Sequence, residues 1–322
     1  MVSKIKKISG DASFREFFRL ITNKKNSILV IAKKEKYQNL VAYSAINSFL
    51  IKKKILAPKL YEHNYKKGFI KIEDFGKLSF HKVLMRKKNK FIIYKKLINL
   101  LLKIQKIKPK KKIKTIINKP HMVNDYSVKY LKKESNLFFD WYLTLFLNKK
   151  KTNKIKKKAN KILLELYKNL HFKNFTFVHR DFHSQNLMSV GNKVGIIDSQ
   201  DALIGNPAYD LVSLIDDVRI KTTKELKNKI YNYYVKKKFK NNNLLSSKFL
   251  GDFEILSVQR SLKIIGIFAR LFKRDKKNIY LKLIPYTWSI LDDRMNSEIF
   301  SELKDLLAKN INSKFKKRVL IK

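Results

Sequence analysis

The pattern of apolar and polar positions divides the chain into a short strand-rich part and a longer helical part. In the first part, brief apolar runs alternate with turn residues, as in strands, and one longer stretch has apolar residues at helical spacing. The predicted strands are Lys4–Ser9, Arg15–Ile21, Ser27–Ala32, Lys59–His63 and Phe69–Glu73, and the helix is Gln38–Lys53. Together they predict a small antiparallel lobe that closes at Gly76.

Helical periodicity dominates from residue 77 to the end of the chain. The predicted helices are Phe91–Ile107, Val128–Leu147, Asn153–Asn169, Tyr209–Val218, Thr223–Lys238, Leu256–Phe272, Leu281–Met295 and Glu298–Asn310. We therefore predict an α+β fold of two lobes. Residues 1–76 would form a small antiparallel N-terminal lobe with one helix, and residues 77–322 a larger, mainly helical C-terminal lobe.

One segment interrupts the helices and carries polar residues at a spacing suited to phosphoryl transfer. The apolar run Phe175–Val178 leads into His-x-Asp-x-x-x-x-Asn, which contains Asp181 and Asn186. Two short apolar runs follow, joined by the hairpin signal Gly191-Asn192, and Asp198 ends the second run. Because a hairpin returns the chain, we expect Asp198 to lie beside Asn186. This order predicts an ATP-dependent small-molecule kinase, with Asp181 accepting the hydroxyl proton and Asn186 and Asp198 binding Mg²⁺.

Two histidines lie close to the predicted catalytic aspartate. His179 and His183 are four positions apart, but they lack the His-Glu-x-x-His pattern and an obvious third ligand. We therefore predict that they brace the loop through hydrogen bonds instead of binding a metal. A buried structural aspartate with a capping asparagine is the other interpretation of this loop, and it leaves Asp198 unexplained.

Lysine gives the chain a large positive charge. Lys and Arg total 74 against 25 Asp and Glu, a formal net charge of +49 over 322 residues. The lysines are dispersed and accompany no nucleic-acid module, which indicates non-specific, salt-sensitive attraction to polyanions. The chain has no cysteine, which excludes a thiolate site. With no signal-peptide pattern and no apolar run long enough for a membrane span, we expect a cytoplasmic protein; the oligomeric state stays open.

Several stretches resemble known enzymes. VHRDFHSQNLM at 178–188 and IIDSQDALIGNPAYDL at 196–211 resemble the aminoglycoside phosphotransferase family of kinase-like enzymes. SGDASFREFFR at 9–19, ESNLFFDWYL at 134–143 and VQRSLKIIGIFARL at 258–271 are similar to bacterial cell-wall amino-sugar kinases. Those kinases phosphorylate the anomeric hydroxyl of N-acetylmuramate and N-acetylglucosamine. The resemblance, from Ser9 to Pro285, implies a bilobal protein-kinase-like fold that uses ATP and Mg²⁺ in cell-wall sugar recycling.

The resemblance also implies roles for residues outside the catalytic loop. The turn Gly10–Phe14 would cover the phosphates, with Ser13 and Phe14 near the nucleotide. The hinge would meet the adenine edge through the carbonyl of Glu73 and the amide of Phe75. Asp210, after Tyr209, would support the catalytic loop from the start of a helix, a position that also suits a carboxylate by itself.

The sequence departs from the kinase pattern at the lysine that usually binds phosphates. A third-strand lysine is normally held by a helix glutamate. Lys33 and Lys34 follow the third strand here, but Gln38–Lys53 contains no acidic residue. Lys33 is retained as the candidate phosphate ligand, with plain surface charge as the alternative for either lysine.

The substrate side is predicted from the resemblance and from charge. Arg260 and Asp201 are the candidate substrate residues; Arg260 and Lys263 could instead extend to water from the edge of an apolar helix. Aminoglycosides are polycations, so a chain with a formal net charge of +49 is poorly suited to bind them. N-acetylmuramate carries a carboxylate that an arginine can bind. Another small hydroxylated substrate, such as an aminoglycoside, a choline-like alcohol or another sugar, stays an alternative, as does a basic kinase-shaped nucleic-acid-binding protein.

Overall fold

The structure is a computed structural model that describes residues 2–8, 15–23, 25–33 and 37–317. The chain forms two compact units. The first comprises Met1–Asp125 and Phe175–Ile204, and the second comprises Tyr126–Asn174 and Gly205–Lys322. The segment with Asp181, Asn186 and Asp198 thus belongs to the same unit as the N-terminal sheet. The predicted lobe boundary after Gly76 stays a prediction.

A five-stranded antiparallel sheet with one helix forms the start of the first unit. Its strands lie in the order β1-β2-β3-β5-β4. The bounds are β1 (Val2–Ile8), β2 (Glu16–Thr22), β3 (Ser27–Ile31), α1 (Tyr37–Lys52), β4 (Leu60–Asn64) and β5 (Phe69–Glu73). Alternate residues of β5 point inward, and Ile70 and Ile72 pack with Leu40 and Val41 of α1 in one apolar core. The predicted antiparallel sheet and its helix are confirmed.

The rest of the first unit contains the predicted catalytic segment and the elements around it. Its elements are α2 (Phe80–Arg86), α3 (Lys90–Gln105), β6 (Lys112–Ile113), β7 (His121–Met122), β8 (Thr176–Val178), β9 (Leu187–Val190) and β10 (Lys193–Ile196). Strand β8 pairs with β11 (Leu203–Gly205), and β9 pairs with β10 as an antiparallel hairpin. The sequence pattern missed α2, since Phe80 and Leu84 are its only buried residues, too few to show a period.

Helices make up most of the second unit. They are α4 (Val128–Leu137), α5 (Lys149–Lys168), α6 (Ala208–Ile215), α7 (Lys224–Phe239), α8 (Asn243–Asp275), α9 (Ile284–Arg294), α10 (Ser301–Asn310) and α11 (Ser313–Lys317). Helix α8 packs against α4, α6 and α9 and is largely buried from Phe249 to Leu271. Within the described part of the chain, no helix is long and apolar enough to cross a membrane.

The predicted helix Val128–Leu147 forms as far as Leu145, but it is not a regular α-helix throughout. Helix α4 ends at Leu137, a π-helical turn covers Phe138–Tyr142, and a short 3₁₀ turn covers Leu143–Leu145. The change begins where the backbone of α8 approaches closely, since a Cβ at Gly266 would lie 2.2 Å from the carbonyl carbon of Leu137. The wider π turn places the aromatic side chains of Phe138, Phe139 and Tyr142 all in the core.

Helix α8 is also much longer than the predicted Leu256–Phe272. It has 33 residues and begins beyond Asn242, whose side chain accepts a hydrogen bond from the Leu245 amide at 3.0 Å. The added turns are mixed in character, with Leu244 66% exposed, so they lack the apolar periodicity that predicts a helix. The left-handed residue Lys276 (φ +57°) ends it.

Candidate active site

The loop after β8 is closed by its own asparagine. The Asn186 side-chain nitrogen donates to the main-chain oxygen of Asp181 at 3.0 Å, and the Asn186 amide donates to the His183 carbonyl at 3.0 Å. The Asn186 carbonyl accepts from the amide of Ile197 at 3.0 Å, next to Asp198. The β9–β10 hairpin therefore returns the chain so that Asn186 and Asp198 approach each other.

The donor set of this loop fits Mg²⁺. Because the Asn186 side-chain nitrogen bonds to Asp181, its Oδ1 is the atom that can serve a cation. Among the described residues, no group of three His, Cys, Asp or Glu side chains is arranged to hold a metal. One carboxylate and one amide oxygen, completed by water and phosphate oxygens, suit Mg²⁺, which keeps several waters and often binds through substrate phosphates.

The β9–β10 hairpin is attached to the residues on either side of the predicted hinge. The amide of Ile196 in β10 donates to the Leu56 carbonyl at 2.8 Å, and the amide of Ser189 in β9 donates to the Leu78 carbonyl at 2.8 Å. Phe75 lies directly on Gly195, where a Cβ would come within 2.7 Å of its ring. The position of the hairpin is therefore coupled to the hinge by main-chain bonds and by one aromatic contact.

A buried ion pair fixes the hinge itself. Arg19 of β2 donates from Nε and Nη2 to the two carboxylate oxygens of Asp74, at 2.6 and 3.0 Å, and from Nη2 to the Gly76 carbonyl at 2.8 Å. Both side chains are nearly inaccessible. The carboxylate of Glu73 pairs with Lys25 at 3.3 Å. Glu73 and Phe75 thus lie on either side of an aspartate that is held through both of its carboxylate oxygens.

Two residues of the site have left-handed backbones. Arg180, just before Asp181, has φ +73°, and Asp198 has φ +68°. Non-glycine residues rarely adopt this conformation, and where they do the surrounding structure must hold them. Arg180 is held by its Nη1, which donates to the Asp201 carbonyl at 3.1 Å. The Asp201 carboxylate itself is exposed and accepts from Gln200 at 2.9 Å.

Both histidines of the loop are buried, and each has a polar neighbour. His179 is fully buried, and its Nε2 lies 3.0 Å from the Ile197 carbonyl, which joins the loop to the end of the hairpin. His183 is also buried, with Nε2 3.5 Å from the Asn186 side-chain nitrogen. Support of the loop by His179 stays a prediction, and this contact is the observation in its favour.

Arg15 is the residue that sequence reasoning missed. Its Nη2 donates to Asp198 Oδ1 at 2.6 Å and its Nη1 to Gln200 Oε1 at 2.9 Å. The guanidinium lies over the rings of Phe17 and Tyr43, at 5.4 and 6.0 Å from their centroids. Burial raises the pKa of the Tyr43 phenol to about 12, so this neighbour stays neutral. The available signal was its place in GDASFREFFR, directly after the predicted phosphate-covering turn.

The remaining residues predicted to contact the nucleotide lie next to, or outside, the described residues. Ser13 and Phe14, predicted near the phosphates, lie outside the described residues. Lys33 lies just past β3 and is exposed. Its role as a phosphate ligand stays a prediction, and Lys34 again lies outside the described residues.

The second unit contains the predicted substrate arginine. Arg260 is buried, and its Nε donates to Ser213 Oγ at 2.9 Å. Lys263, one turn along α8, forms a buried ion pair with Glu134 at 3.0 Å and donates to the Tyr209 hydroxyl at 3.3 Å. The interpretation that these cations extend to water is therefore wrong, since an acidic partner on α4 draws Lys263 inward. Asp210 is buried in the first turn of α6, as a helix-start carboxylate should be.

Comparison with known proteins agrees with this geometry. Residues 4–236 match the model of the Phosphotransferase enzyme family. The chain belongs to this family. An N-acetylmuramate/N-acetylglucosamine kinase of Neisseria meningitidis serogroup B is 27% identical over 93% of this chain and 87% of the relative. The kinase of the same name from Pseudomonas aeruginosa is 27% identical over 93% of this chain and 86% of its own.

Solved structures show the same fold at much lower identity. The gentamicin complex of the phosphotransferase APH(2")-IIa superposes with a TM-score of 0.63 at 13% identity, over 90% of this chain and 94% of that one. The predicted kinase-like fold is confirmed, and this family member is a small-molecule phosphotransferase.

Proposed function

We propose that this phosphotransferase transfers the γ-phosphoryl group of ATP to the anomeric C1 hydroxyl of N-acetylmuramate or N-acetylglucosamine. The observation that carries the proposal is the loop closed by Asn186 on Asp181, with Asp198 returned beside it by the hairpin. The names of the relatives support the sugar, because the match covers 93% of this chain. Recycling of cell-wall sugars is the matching cellular role.

Asp181 is proposed as the group that accepts the proton of the attacking hydroxyl. An anomeric hydroxyl is more acidic than an ordinary alcohol, so a carboxylate of ordinary strength is adequate. Phosphoryl transfer otherwise depends on in-line positioning and on neutralisation of phosphate charge. Asn186 Oδ1 and Asp198 would hold Mg²⁺, which supplies that neutralisation.

The hinge is proposed to bind the adenine edge through main-chain groups of Glu73 and Phe75. The ion pair of Arg19 with Asp74 supports this role, because it holds the segment rigid before a nucleotide arrives. A preorganised segment loses less conformational entropy on binding. Phe75 also lies on Gly195, so a shift of the hinge on nucleotide binding would change the position of the catalytic hairpin through this contact.

Arg260 is proposed to bind the lactyl carboxylate of N-acetylmuramate. Its Nε bond to Ser213 fixes the plane of the guanidinium. No other hydrogen bond of this side chain is found within the described residues, so its terminal nitrogens are suited to a bidentate carboxylate. The formal charge of +49 also favours an anionic or neutral sugar over a polycationic aminoglycoside.

The test is to offer the enzyme a panel of substrates and to determine which hydroxyl group of each product carries the phosphate. The purified protein is incubated with Mg²⁺ and ATP plus N-acetylmuramate, N-acetylglucosamine, glucose, choline or an aminoglycoside, and ³¹P and ¹H NMR locate the phosphate. Phosphate on C1 of an N-acetylated amino sugar, lost in Asp181→Asn, is the expected result. Reaction only at C6, or only on choline or the aminoglycoside, would overturn the proposed substrate.

A further inference from the structure

Within the described residues, the cation that pairs with the predicted metal ligand Asp198 is Arg15, which lies just before β2 and not on the third strand. Kinases normally place a β3 lysine on the phosphates and hold it with an acidic residue of the following helix. Helix α1 contains no Asp or Glu, and Lys33 is exposed. Asn47 of α1 instead accepts a hydrogen bond from Ser199 Oγ at 2.6 Å and donates to the Pro58 carbonyl at 3.3 Å.

Arg15 instead donates to Asp198 Oδ1 at 2.6 Å. Its side chain is only 5% exposed, whereas that of Asp198 is 34% exposed, so the pair opens to solvent on the carboxylate side. Phe17 and Tyr43 stack on the guanidinium, and Gln200 holds Nη1. The cation is thus fixed by three neutral side chains, and these contacts do not depend on Asp198.

We propose that Arg15 is the phosphate-binding cation of this enzyme and replaces the third-strand lysine. The proposal rests on the proposed use of ATP. A guanidinium has five donors, so Arg15 can keep its bond to Gln200 while exchanging the carboxylate of Asp198 for a phosphate oxygen. Arg15 thereby neutralises Asp198 in the absence of a metal, and that carboxylate would become available to Mg²⁺ if the guanidinium turned to the nucleotide.

The test measures the binding of ATP in the absence of sugar. Its outcome therefore does not depend on whether the proposed sugar substrate is correct. Calorimetric titrations of the full chain are run at ~0.2 M salt, to screen its general charge, once with Mg²⁺ and once with EDTA. Arg15→Met should weaken ATP about ten- to hundredfold in both conditions, since it removes a charge-assisted bond. Arg86→Met is the matched control, because Arg86 is an exposed arginine of the same unit, and it should stay within about twofold of the parent.

Two comparisons separate this role from the alternatives. If Arg15→Met weakens ATP only with Mg²⁺, Arg15 merely positions Asp198 and the proposal is wrong. If Lys33→Met causes the loss in EDTA and Arg15→Met does not, the third-strand lysine has kept its usual role. Thermal unfolding checks each variant, and Arg15→Lys, which keeps the charge, should retain more affinity in EDTA than Arg15→Met.

A final variant keeps Arg15 and tests whether Asp198 and the phosphates compete for its guanidinium. Asp198→Asn releases the guanidinium from its ion pair, so ATP in EDTA should bind several-fold more tightly than to the parent. That gain must disappear in the double variant Arg15→Met, Asp198→Asn. A gain of equal size in both backgrounds would show that it arises only from the lost negative charge, and would overturn the proposal.

Discussion

The side-chain amide of Asn186 donates a hydrogen bond to the main-chain carbonyl of Asp181 at 3.0 Å. This bond gives the asparagine two functions, because its nitrogen closes the loop while its oxygen can serve a cation. It also explains why an amide, and not a second carboxylate, stands at this position. An aspartate at residue 186 would set an oxygen against the Asp181 carbonyl.

Asn186→Asp should therefore lower kcat although a carboxylate is the stronger ligand for Mg²⁺. Loss of the donor and repulsion from the Asp181 carbonyl should cost about ten- to hundredfold in turnover. Steady-state kinetics over a range of Mg²⁺ concentrations would measure it. Asn192→Asp, at the exposed hairpin turn, is the control and should behave as the parent. Parental turnover in Asn186→Asp would contradict the structural role of the amide.

Asp181→Asn should bind ATP normally and lose turnover. A general base contributes ~10²–10⁴-fold to such reactions. Nucleotide affinity is measured by calorimetry and the rate by product formation on the true substrate. Asp305→Asn, on the exposed side of α10, controls for the loss of one acidic charge. If Asp181→Asn phosphorylates the sugar at a near-parental rate, another group accepts the proton.

Gly195→Ala should raise KM for ATP and lower Tm through its contact with Phe75. The new Cβ would lie 2.7 Å from the ring, so the hinge phenylalanine must move. Overpacking of this kind costs ~1–3 kcal/mol in the free energy of unfolding. In a Phe75→Ala background the same substitution should cost much less, because the two residues are in contact. Equal costs in both backgrounds would show that the two residues are not coupled.

Arg260→Ala should harm N-acetylmuramate more than N-acetylglucosamine. Only the first sugar carries the lactyl carboxylate, and a charge-assisted contact is worth ~1.5–3 kcal/mol, or about ten- to hundredfold in relative kcat/KM. Arg270→Ala on the same helix is the control, and it should leave the ratio of the two sugars unchanged. Equal losses on both sugars in Arg260→Ala would remove this arginine from carboxylate recognition.

Asp216 should make the free energy of unfolding depend on pH. Burial by itself would raise the pKa of this carboxyl, but the charges of Arg294 and Lys227 outweigh burial and hold the pKa well below its ordinary value. A lowered folded-state pKa stabilises the protein above the unfolded pKa of ~3.9, and this contribution is lost as pH falls further.

Asp216→Asn should therefore be less stable than the parent by ~3–5 kcal/mol at neutral pH, since it leaves two largely buried cations, Arg294 and Lys227, without their carboxylate. Chemical denaturation at several pH values would measure the gap, which should narrow as pH falls below ~4. Asp292→Asn, which removes the more exposed ion pair with Lys316, is the control and should cost less than ~1 kcal/mol. A gap that is constant with pH would contradict the charge-based explanation.

The local sequence pattern was sufficient to predict the N-terminal sheet and its helix. It was also sufficient to predict that a loop, a hairpin and a carboxylate follow one another in the site. Apolar periodicity and turn residues act over a few positions, so the strands around Gly191 and the closure at Asn186 follow from residues close in sequence. The π turn after Leu137 does not follow in this way, because it depends on the distant Gly266 of α8. A segment's own periodicity contains no information about the helix that packs against it.

Only the tertiary structure decided which charges meet. The chain offers 74 Lys and Arg to 25 Asp and Glu, so composition cannot select a partner for any one carboxylate. Asp198 pairs with Arg15, 183 positions away, because sheet and hairpin bring the two together over Phe17 and Tyr43. Lys263 likewise turns inward because α4 places Glu134 within 3.0 Å. The sequence shows which residues have side chains suited to phosphoryl transfer. An ion pair, however, depends on the distance between two charged groups, and that distance is set only when the chain folds.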